Sequence, residues 1–171
     1  CHWRFTPDAV PFLAEVARSL DIRWIEDPMP DFDPSTIQRL RDLSGARVTG
    51  GEALLIYEDF EALVRSGAVD VLIADVKFVG GIAPLDRICK LAADHGVDFA
   101  PHNPSGPVST AASAHVTAAN PNAIVLEYCY GEAPWRDAAA VGEKFADGGL
   151  AVAGPGLGID FDLDAVGPPS S

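Results

Sequence analysis

The sequence is poor in positive charge. It has 12 lysines and arginines against 25 aspartates and glutamates, which gives a formal net charge of −13 over 171 residues. This excess of negative charge opposes binding to nucleic acid phosphates and to anionic membranes, so no nucleic-acid or membrane partner is expected. No hydrophobic run approaches the roughly 20 residues that cross a bilayer. The hydrophobic content of 48% is typical of a globular domain.

Two kinds of motif are also missing. The three cysteines are widely spaced and form no CxxC pair, which argues against a disulfide framework or a zinc site and agrees with a cytoplasmic location. The segments GEALL and VGGIAP match neither glycine-rich nucleotide fingerprint. An open doubly wound sheet usually carries such a loop after its first strand, so this alternative to a barrel is weakened but stays open.

Helical and strand patterns alternate along the chain. Helices are predicted near 7–20, 34–43, 57–66, 83–94 and 107–119, with Thr6 as a plausible N-cap of the first and Asp33 opening the second. Short strands, apolar on both faces, are predicted at 22–25, 46–49, 70–74, 97–100 and 123–126. The last stretch, DGGLAVAGPGLGIDFD, is glycine-rich and is predicted to contain one short apolar segment and a loop.

This alternation predicts an α/β fold with a parallel sheet. Five βα units of about 25 residues suit part of a (β/α)8 TIM-type barrel, which takes about 250 residues when complete. We therefore expect one partial barrel over residues 1–166 and a short tail over 167–171.

A charged or titratable side chain lies just after the end of each predicted strand, at nearly the same position in each βα unit. The spacing between successive members is 23 to 27 residues, and they are Glu26, Glu52, Asp75, His102 and Glu127. In a barrel these side chains would meet at the C-terminal ends of the strands, where the active sites of such barrels lie.

The residue types suggest a chemistry. Glu26 and Glu52 offer hard oxygen ligands that suit Mg²⁺. Asp75 and His102 could form a dyad in which the carboxylate orients the imidazole and stabilises its charged form, which makes His102 a general base. Glu127 could hydrogen-bond a substrate oxygen that gains charge.

Each residue taken alone also has an ordinary explanation. The glutamates could be solvated loop acids, Asp75 could cap the segment after it, and His102 could cap a turn. Lys77 lies close to the same rim, where a solvated or supporting role is expected. The common phase of the five strand-end residues favours the site. His95 and His115 are out of phase and are read as structural.

Six segments occur in the order IEDP, GGEAL, DVKFVGGI, APHNPSGPV, NAIVLEY and PGLGID. Together they resemble the mandelate racemase/muconate lactonizing enzyme family of the enolase superfamily, and most closely its galactonate dehydratase-like acid-sugar dehydratases. The resemblance covers nearly the whole chain. It implies the C-terminal half of the barrel, with the first strands and a capping domain absent from this sequence.

The resemblance also implies roles. Glu26 and Glu52 would be the second and third Mg²⁺ ligands, His102 the base with Asp75 as its partner, and Glu127 the acid that steadies the enolate. His2 would be the general acid that helps a hydroxyl leave. The remaining Mg²⁺ ligand is expected to be an aspartate directly upstream of Cys1. The substrate would be a sugar acid, and the intact enzyme is expected to be a homo-oligomer.

Two alternatives remain. The same family includes racemases and epimerases, which usually need a second base on the opposite face of the substrate; this is often a lysine on the second strand, outside this sequence. A chain that keeps the fold without the activity is the other alternative.

Overall fold

The computed structural model describes residues 1–131 and 134–166. Its larger part alternates parallel strands with helices. The helices are α1 (Val10–Ser19), α2 (Pro34–Ser44), α3 (Tyr57–Ser66), α4 (Ile82–Asp94) and α5 (Pro107–Ala119). The strands are β1 (Trp24–Glu26), β2 (Arg47–Gly50), β3 (Val71–Leu72) and β4 (Asp98–Phe99), paired in parallel in that order. The predicted α/β class with a parallel sheet is confirmed.

Alternation along the strands divides the buried residues between two faces of the sheet. Leu72 and Phe99 face the helices and pack with Leu85 of α4 in the largest apolar cluster. Val71 and Ile73 face the other way, and pack with Ala100 and Trp24. Successive helices contact one another, α1 with α2, α3 with α4 and α4 with α5. This layered arrangement is that of βα units curving round a common interior.

The second helix begins and ends as its sequence predicts. The Asp33 carboxylate accepts a hydrogen bond from the Thr36 amide at 2.8 Å, which satisfies one of the free N–H groups of the first turn. Gly45 closes the helix in the left-handed region, at φ 71°, where glycine has no Cβ to clash.

The start of the chain differs from the prediction. A 3₁₀ turn over Pro7–Ala9 precedes α1, and within the described residues the Thr6 side chain makes no capping hydrogen bond. Thr6 nevertheless stands at the predicted N-cap position, with an extended backbone and Pro7 as the first residue of the turn. The strand expected at 22–25 begins only at Trp24, because the chain is still leaving α1: Asp21 has φ 51° and the Ile22 amide bonds to the Ala17 carbonyl.

The predicted fifth strand at 123–126 is reduced to one parallel bridge between Ala123 and Phe99. The Phe99 amide donates to Asn122, and the Ile124 amide donates to Phe99. The next bond of a parallel ladder would need an N–H from residue 101, which is Pro101 and has none. Pairing therefore stops, although the segment still runs alongside β4.

The C-terminal region has more structure than the glycine-rich sequence suggested. A short helix, α6 (Arg136–Ala139), is followed by β5 (Ala140–Val141), β6 (Phe145–Ala146), β7 (Gly149–Leu150) and β8 (Asp160–Phe161). These pair as two small antiparallel sheets, β5 with β8 and β6 with β7. A 3₁₀ turn spans Asp164–Val166. The predicted tail at 167–171 lies outside the described residues.

Candidate active site

The predicted site residues meet at the C-terminal ends of the parallel strands. A cavity of about 210 Å³ opens there and extends along the inner face of the sheet. Its lining consists of Trp24, Glu26, Ile73, Ala100, Pro101, His102, Val125 and Glu127. Most of these residues are two positions apart along their strands. Their side chains therefore point to the same face of the sheet and into one shared interior.

The Asp75–His102 pair is formed. His102 Nδ1 lies 2.9 Å from Asp75 Oδ2, and Asp75 is fully buried. The other oxygen of Asp75 accepts the Lys77 amide at 2.8 Å, so the carboxylate also caps the turn after β3. Asp75 therefore contacts His102 and also caps this turn, and its role as partner of a catalytic base stays a prediction. Because Nδ1 faces a carboxylate, Nε2 of His102 is the nitrogen left to face the cavity.

Glu52 lies against two histidines. Its Oε1 is 3.2 Å from His2 Nδ1, and its Oε2 is 3.5 Å from His102 Nε2. The Glu52 side chain is 8% exposed, whereas that of His2 is 66% exposed. Gly51, at φ 116°, turns the chain after β2 and so brings Glu52 towards His102.

The first residues run beside the loop that follows β1. The Cys1 nitrogen donates to the Glu26 carbonyl at 2.6 Å, and the Trp3 amide donates to the Asp27 carbonyl at 2.8 Å. His2 lies between these two bonds with φ 50°. This backbone pairing, rather than side-chain packing, brings His2 to Glu52.

Glu26 is the last residue of β1 and is half-buried. Burial raises the pKa of Glu26 above its ordinary value, and the nearby charges of Glu52 and Glu127 raise it further. Both of these carboxylates are thus close enough to repel that of Glu26. A bound cation would relieve this repulsion, and carboxylate oxygens are the ligands that Mg²⁺ prefers.

The geometry fits a metal ion only in part. Over residues 1–131 and 134–166, no group of three or more histidine, cysteine, aspartate or glutamate side chains is arranged to hold a metal. Glu26 and Glu52 remain two converging oxygen donors that could contribute to such a site.

Glu127 is held by the residue after the candidate base. The Asn103 amide donates to Glu127 Oε2 at 2.6 Å, and the Asn103 side chain donates to the Glu127 carbonyl at 3.0 Å. Asn103 is fully buried and also donates to Thr110. It was not singled out from the sequence, although its position next to His102 was a usable signal.

Lys77 is 42% exposed, and its ammonium lies 3.3 Å from Asp75 Oδ2, the oxygen that His102 also contacts. This placement of Lys77 fits the solvated or supporting position expected for it. His95 and His115 lie away from the site: His95 Nδ1 is 2.9 Å from the Leu91 carbonyl at the end of α4, and His115 lies within α5.

Asp27 is a second residue that sequence reasoning missed. It is 1% exposed, and neither carboxylate oxygen has a hydrogen-bond partner among the described residues. Burial, then repulsion from Glu52, raises the pKa of Asp27 to about 7. The Gly51 amide is near enough to oppose this shift in part, but does not meet hydrogen-bond geometry. Nothing in the pattern IEDP distinguishes Asp27 from an exposed loop acid.

Comparisons with known proteins show the family and the fold. The Enolase C-terminal domain-like family matches residues 1–165. The D-xylonate dehydratase of Haloferax volcanii is 34% identical over 170 residues, which are 97% of this chain and 41% of that protein. A D-galactonate dehydratase family member of Streptomyces bingchenggensis is 31% identical, over 94% of this chain and 40% of that protein.

Solved structures show the same fold. The 3,6-anhydro-D-galactonate cycloisomerase of Zobellia galactanivorans superposes with a TM-score of 0.86 at 28% identity, over 97% of this chain and 48% of that one. A mandelate racemase/muconate lactonizing enzyme of Jannaschia sp. gives 0.84 at 28% identity, over 97% and 43%. The chain thus spans about 40% of the length of the curated relatives it matches. It belongs to the enolase C-terminal domain-like family and folds as the C-terminal part of a TIM-type barrel.

Proposed function

We propose that this chain supplies the proton-transfer half of a Mg²⁺-dependent acid-sugar dehydratase. The observation that carries the proposal is the position of His102 between Asp75 and Glu52. A base whose Nδ1 is held by a buried carboxylate, and whose Nε2 points at a candidate metal ligand, is arranged to take a proton next to a substrate carboxylate.

Glu26 and Glu52 would hold the Mg²⁺ ion together with a ligand from outside the described residues. When bound, the ion would act as a Lewis acid towards the substrate carboxylate and oppose the charge that develops there. The repulsion of Glu26 by Glu52 and by Glu127 supports this assignment, because a divalent cation would offset part of that negative charge.

His102 Nε2 would remove the proton from the carbon next to the carboxylate. Asp75 would keep the imidazole oriented and stabilise its charged form, and its fixed position follows from full burial and the bond to the Lys77 amide. A positioned base of this kind contributes roughly 10²–10⁴-fold to rate.

Glu127 would stabilise the developing enediolate at one of its oxygens. A carboxylate can do this only when protonated or through a bridging group, and the Asn103 amide that donates to Glu127 fixes where its oxygens lie. The Asn103 link also joins the base loop to the Glu127 loop, so the two groups keep a constant separation.

His2 would act on the leaving group. Loss of the hydroxyl from the neighbouring carbon requires one proton, which a protonated imidazole can deliver so that water departs. The products are then water and an enol, which becomes a 2-keto-3-deoxy acid by tautomerisation. The contact between His2 Nδ1 and Glu52 Oε1, at 3.2 Å, supports this role because it places the imidazole beside a candidate metal ligand.

The acid-sugar substrate is proposed from the relatives, which include a D-xylonate dehydratase and members of a D-galactonate dehydratase family. A racemase or epimerase would share the His102 base. Dehydration is preferred because His2 is placed beside the same carboxylate as the base. The cytoplasmic location and the homo-oligomeric state expected of the intact protein stay predictions. Within the described residues, no helix is both long and apolar enough to cross a bilayer.

The proposal is tested by incubating the protein, with any sequence its gene encodes upstream of Cys1, with Mg²⁺ and a panel of five- and six-carbon sugar acids. We expect at least one acid to yield a 2-keto-3-deoxy product. A product that is only the epimer of the substrate would favour the racemase alternative, and no reaction across the panel would favour a non-catalytic chain.

A further inference from the structure

Near the start of α5, the fully buried Thr110 is anchored twice to the same group. Its amide and its hydroxyl each donate to the Gly106 carbonyl at 3.1 Å. A β-branched side chain in a helix is stiff about its first torsion, and a hydroxyl bond to the carbonyl four residues back holds it further. The one hydroxyl proton is therefore in use, so the Thr110 oxygen is left to accept a further hydrogen bond.

That oxygen accepts from the side chain of Asn103. The Asn103 Nδ2 donates to Thr110 Oγ1 at 2.8 Å and to the Glu127 carbonyl at 3.0 Å. Both partners are acceptors, and the amide nitrogen supplies one N–H for each of them. Because Asn103 and Thr110 have no exposed surface, a bond lost between them would not be replaced by one to solvent.

Glu127 needs this link because regular strand pairing has ended before it. The ladder between β4 and the 123–126 segment stops at Pro101, and the Glu127 side chain is exposed. Beyond the proline, Asn103 bonds to both the carbonyl and the carboxylate of Glu127 and takes the place of the ladder. The position of Glu127 is thus set by Asn103, and that of the Asn103 side chain by Thr110.

We propose that Thr110 is a positioning residue for the reaction, acting on Glu127 through the Asn103 amide. The inference rests on the proposed function, in which Glu127 stabilises the enediolate. Thr110 does not line the cavity that contains His102, so its effect on the reaction would pass through the groups that it holds.

The test compares the rate of α-proton exchange with deuterated solvent in Thr110→Val and the parent. Each protein carries any sequence its gene encodes upstream of Cys1, and Mg²⁺ and a substrate identified from the panel are present. Valine keeps the shape of threonine but lacks the hydroxyl. We expect kcat for exchange to fall about tenfold, because a misplaced group at a reacting centre can cost up to about 10²-fold. KM and Mg²⁺ affinity should change less than about threefold.

Two further variants separate the Asn103 bond from the hydroxyl as such. Thr110→Ser keeps a hydroxyl and should hold kcat within about twofold of the parent. Thr117→Val is the matched control on the same helix: the Thr117 hydroxyl donates to the Ser113 carbonyl at 2.9 Å, also four residues back, and makes no hydrogen bond to Asn103 among the described residues. It should also hold kcat within about twofold.

A double-mutant cycle with Glu127→Gln distinguishes positioning from a general loss of stability. Glu127→Gln alters the group on which Thr110 is proposed to act. Adding Thr110→Val to Glu127→Gln should therefore change kcat less than about twofold, because two residues that act as one unit are not additive. A substitution that only loosened the fold would lower kcat by the same factor in both backgrounds.

Hydrogen exchange measured by ¹H–¹⁵N NMR tests the link without substrate. The amide of Asn103 donates to Glu127 Oε2 at 2.6 Å. Its exchange with solvent should accelerate about tenfold or more in Thr110→Val, and should stay unchanged in Thr110→Ser and Thr117→Val. If circular dichroism shows that Thr110→Val does not fold, Asn103→Ala serves in all these measurements, because it removes both side-chain N–H donors while the Thr110 hydroxyl keeps Gly106 as its partner.

Three results in an active protein would overturn the positioning role: unchanged kcat in Thr110→Val, an equal loss of kcat in Thr117→Val, or additive effects of Thr110→Val and Glu127→Gln. No reaction with any acid of the panel would instead refute the proposed function, and with it a role for Thr110 in the reaction. The amide exchange of Asn103 would then report on the link alone.

Discussion

His102 Nε2 lies 3.5 Å from Oε2 of Glu52, on the side of the imidazole opposite to Asp75. One ring nitrogen is thus bound to a buried acid, while the other faces a carboxylate that we assign to a metal ion. A substrate carboxylate on that ion would present its neighbouring carbon to Nε2. The relationship links two groups that are 50 residues apart in the chain, and it would tie the proposed proton transfer to metal binding.

Removal of the candidate metal ligands should weaken Mg²⁺ binding. We expect Glu26→Gln and Glu52→Gln each to reduce Mg²⁺ affinity at least tenfold, because an amide oxygen keeps the shape but loses the charge. Glu58→Gln is the matched control, since Glu58 is an exposed acid in the first turn of α3 and is not among the proposed ligands. Calorimetry in chelator-treated buffer measures all three. Equal affinity in the Glu26→Gln, Glu52→Gln double variant and the parent would contradict the assignment.

His2→Asn should separate the two steps of the reaction. The α-proton should still exchange with deuterated solvent at close to the parental rate, because His102 is untouched. Loss of the hydroxyl should slow roughly 10²-fold or more, as expected when a positioned acid is removed. Proton NMR follows both processes in one sample. Parallel loss of exchange and elimination would show that His2 does not act on the leaving group alone.

Asp75→Asn should impair proton abstraction by roughly 10²-fold or more, since the amide removes the charge that stabilises the protonated His102. Lys77→Met provides the control at the same oxygen: it removes the ammonium 3.3 Å from Asp75 Oδ2 but leaves the carboxylate. We expect it to change the exchange rate less than tenfold. If Lys77→Met were the more damaging variant, Lys77 would replace His102 as the candidate base.

The ion pair of Arg136 and Glu143 should stabilise the C-terminal region strongly. Arg136 donates to both Glu143 oxygens, at 2.9 and 2.7 Å, and to the Ser105 carbonyl at 2.9 Å, and both side chains are buried. Arg136→Met leaves Glu143 buried without its partner, so we expect a loss of about 3–5 kcal/mol in the free energy of unfolding.

Urea denaturation measures this loss, with the exposed pair of Arg65 and Glu61 as the reference. Arg65→Met should lower the free energy of unfolding by less than about 1 kcal/mol. The double variant Arg136→Met, Glu143→Leu should recover much of the loss, because no buried charge remains. Equal effects of Arg136→Met and Arg65→Met would show that burial of the first pair does not matter.

The sequence predicted the placement of the strand-end residues better than it predicted the lengths of the strands. Glu26, Asp75 and His102 lie at one end of the sheet because the regular length of the βα unit sets their positions. This holds whether or not each strand has its predicted length. Strand length depends on local detail instead. Pro101 ends the ladder between β4 and the 123–126 segment, a consequence visible only once the pairing register is known.

Features that depend on tertiary contact could not be predicted. The short strands β5 to β8 lie in a glycine-rich stretch without periodicity. The ion pair of Arg136 and Glu143 joins α6 to the segment between β5 and β6. Burial of Asp27 is likewise a result of the loops packed around it. His2 was found through family resemblance, since its contact with Glu52 depends on backbone pairing to the loop after β1.

The most direct test of the account is the rate at which the α-proton of a sugar acid exchanges with deuterated solvent in the His102→Asn variant. The measurement uses proton NMR with Mg²⁺ present, a substrate identified from the panel, and the protein with any sequence its gene encodes upstream of Cys1. We predict that exchange falls at least 10²-fold, while Mg²⁺ affinity measured by calorimetry stays within threefold of the parent. Exchange at the parental rate in a folded His102→Asn protein would contradict the assignment of His102 as the base.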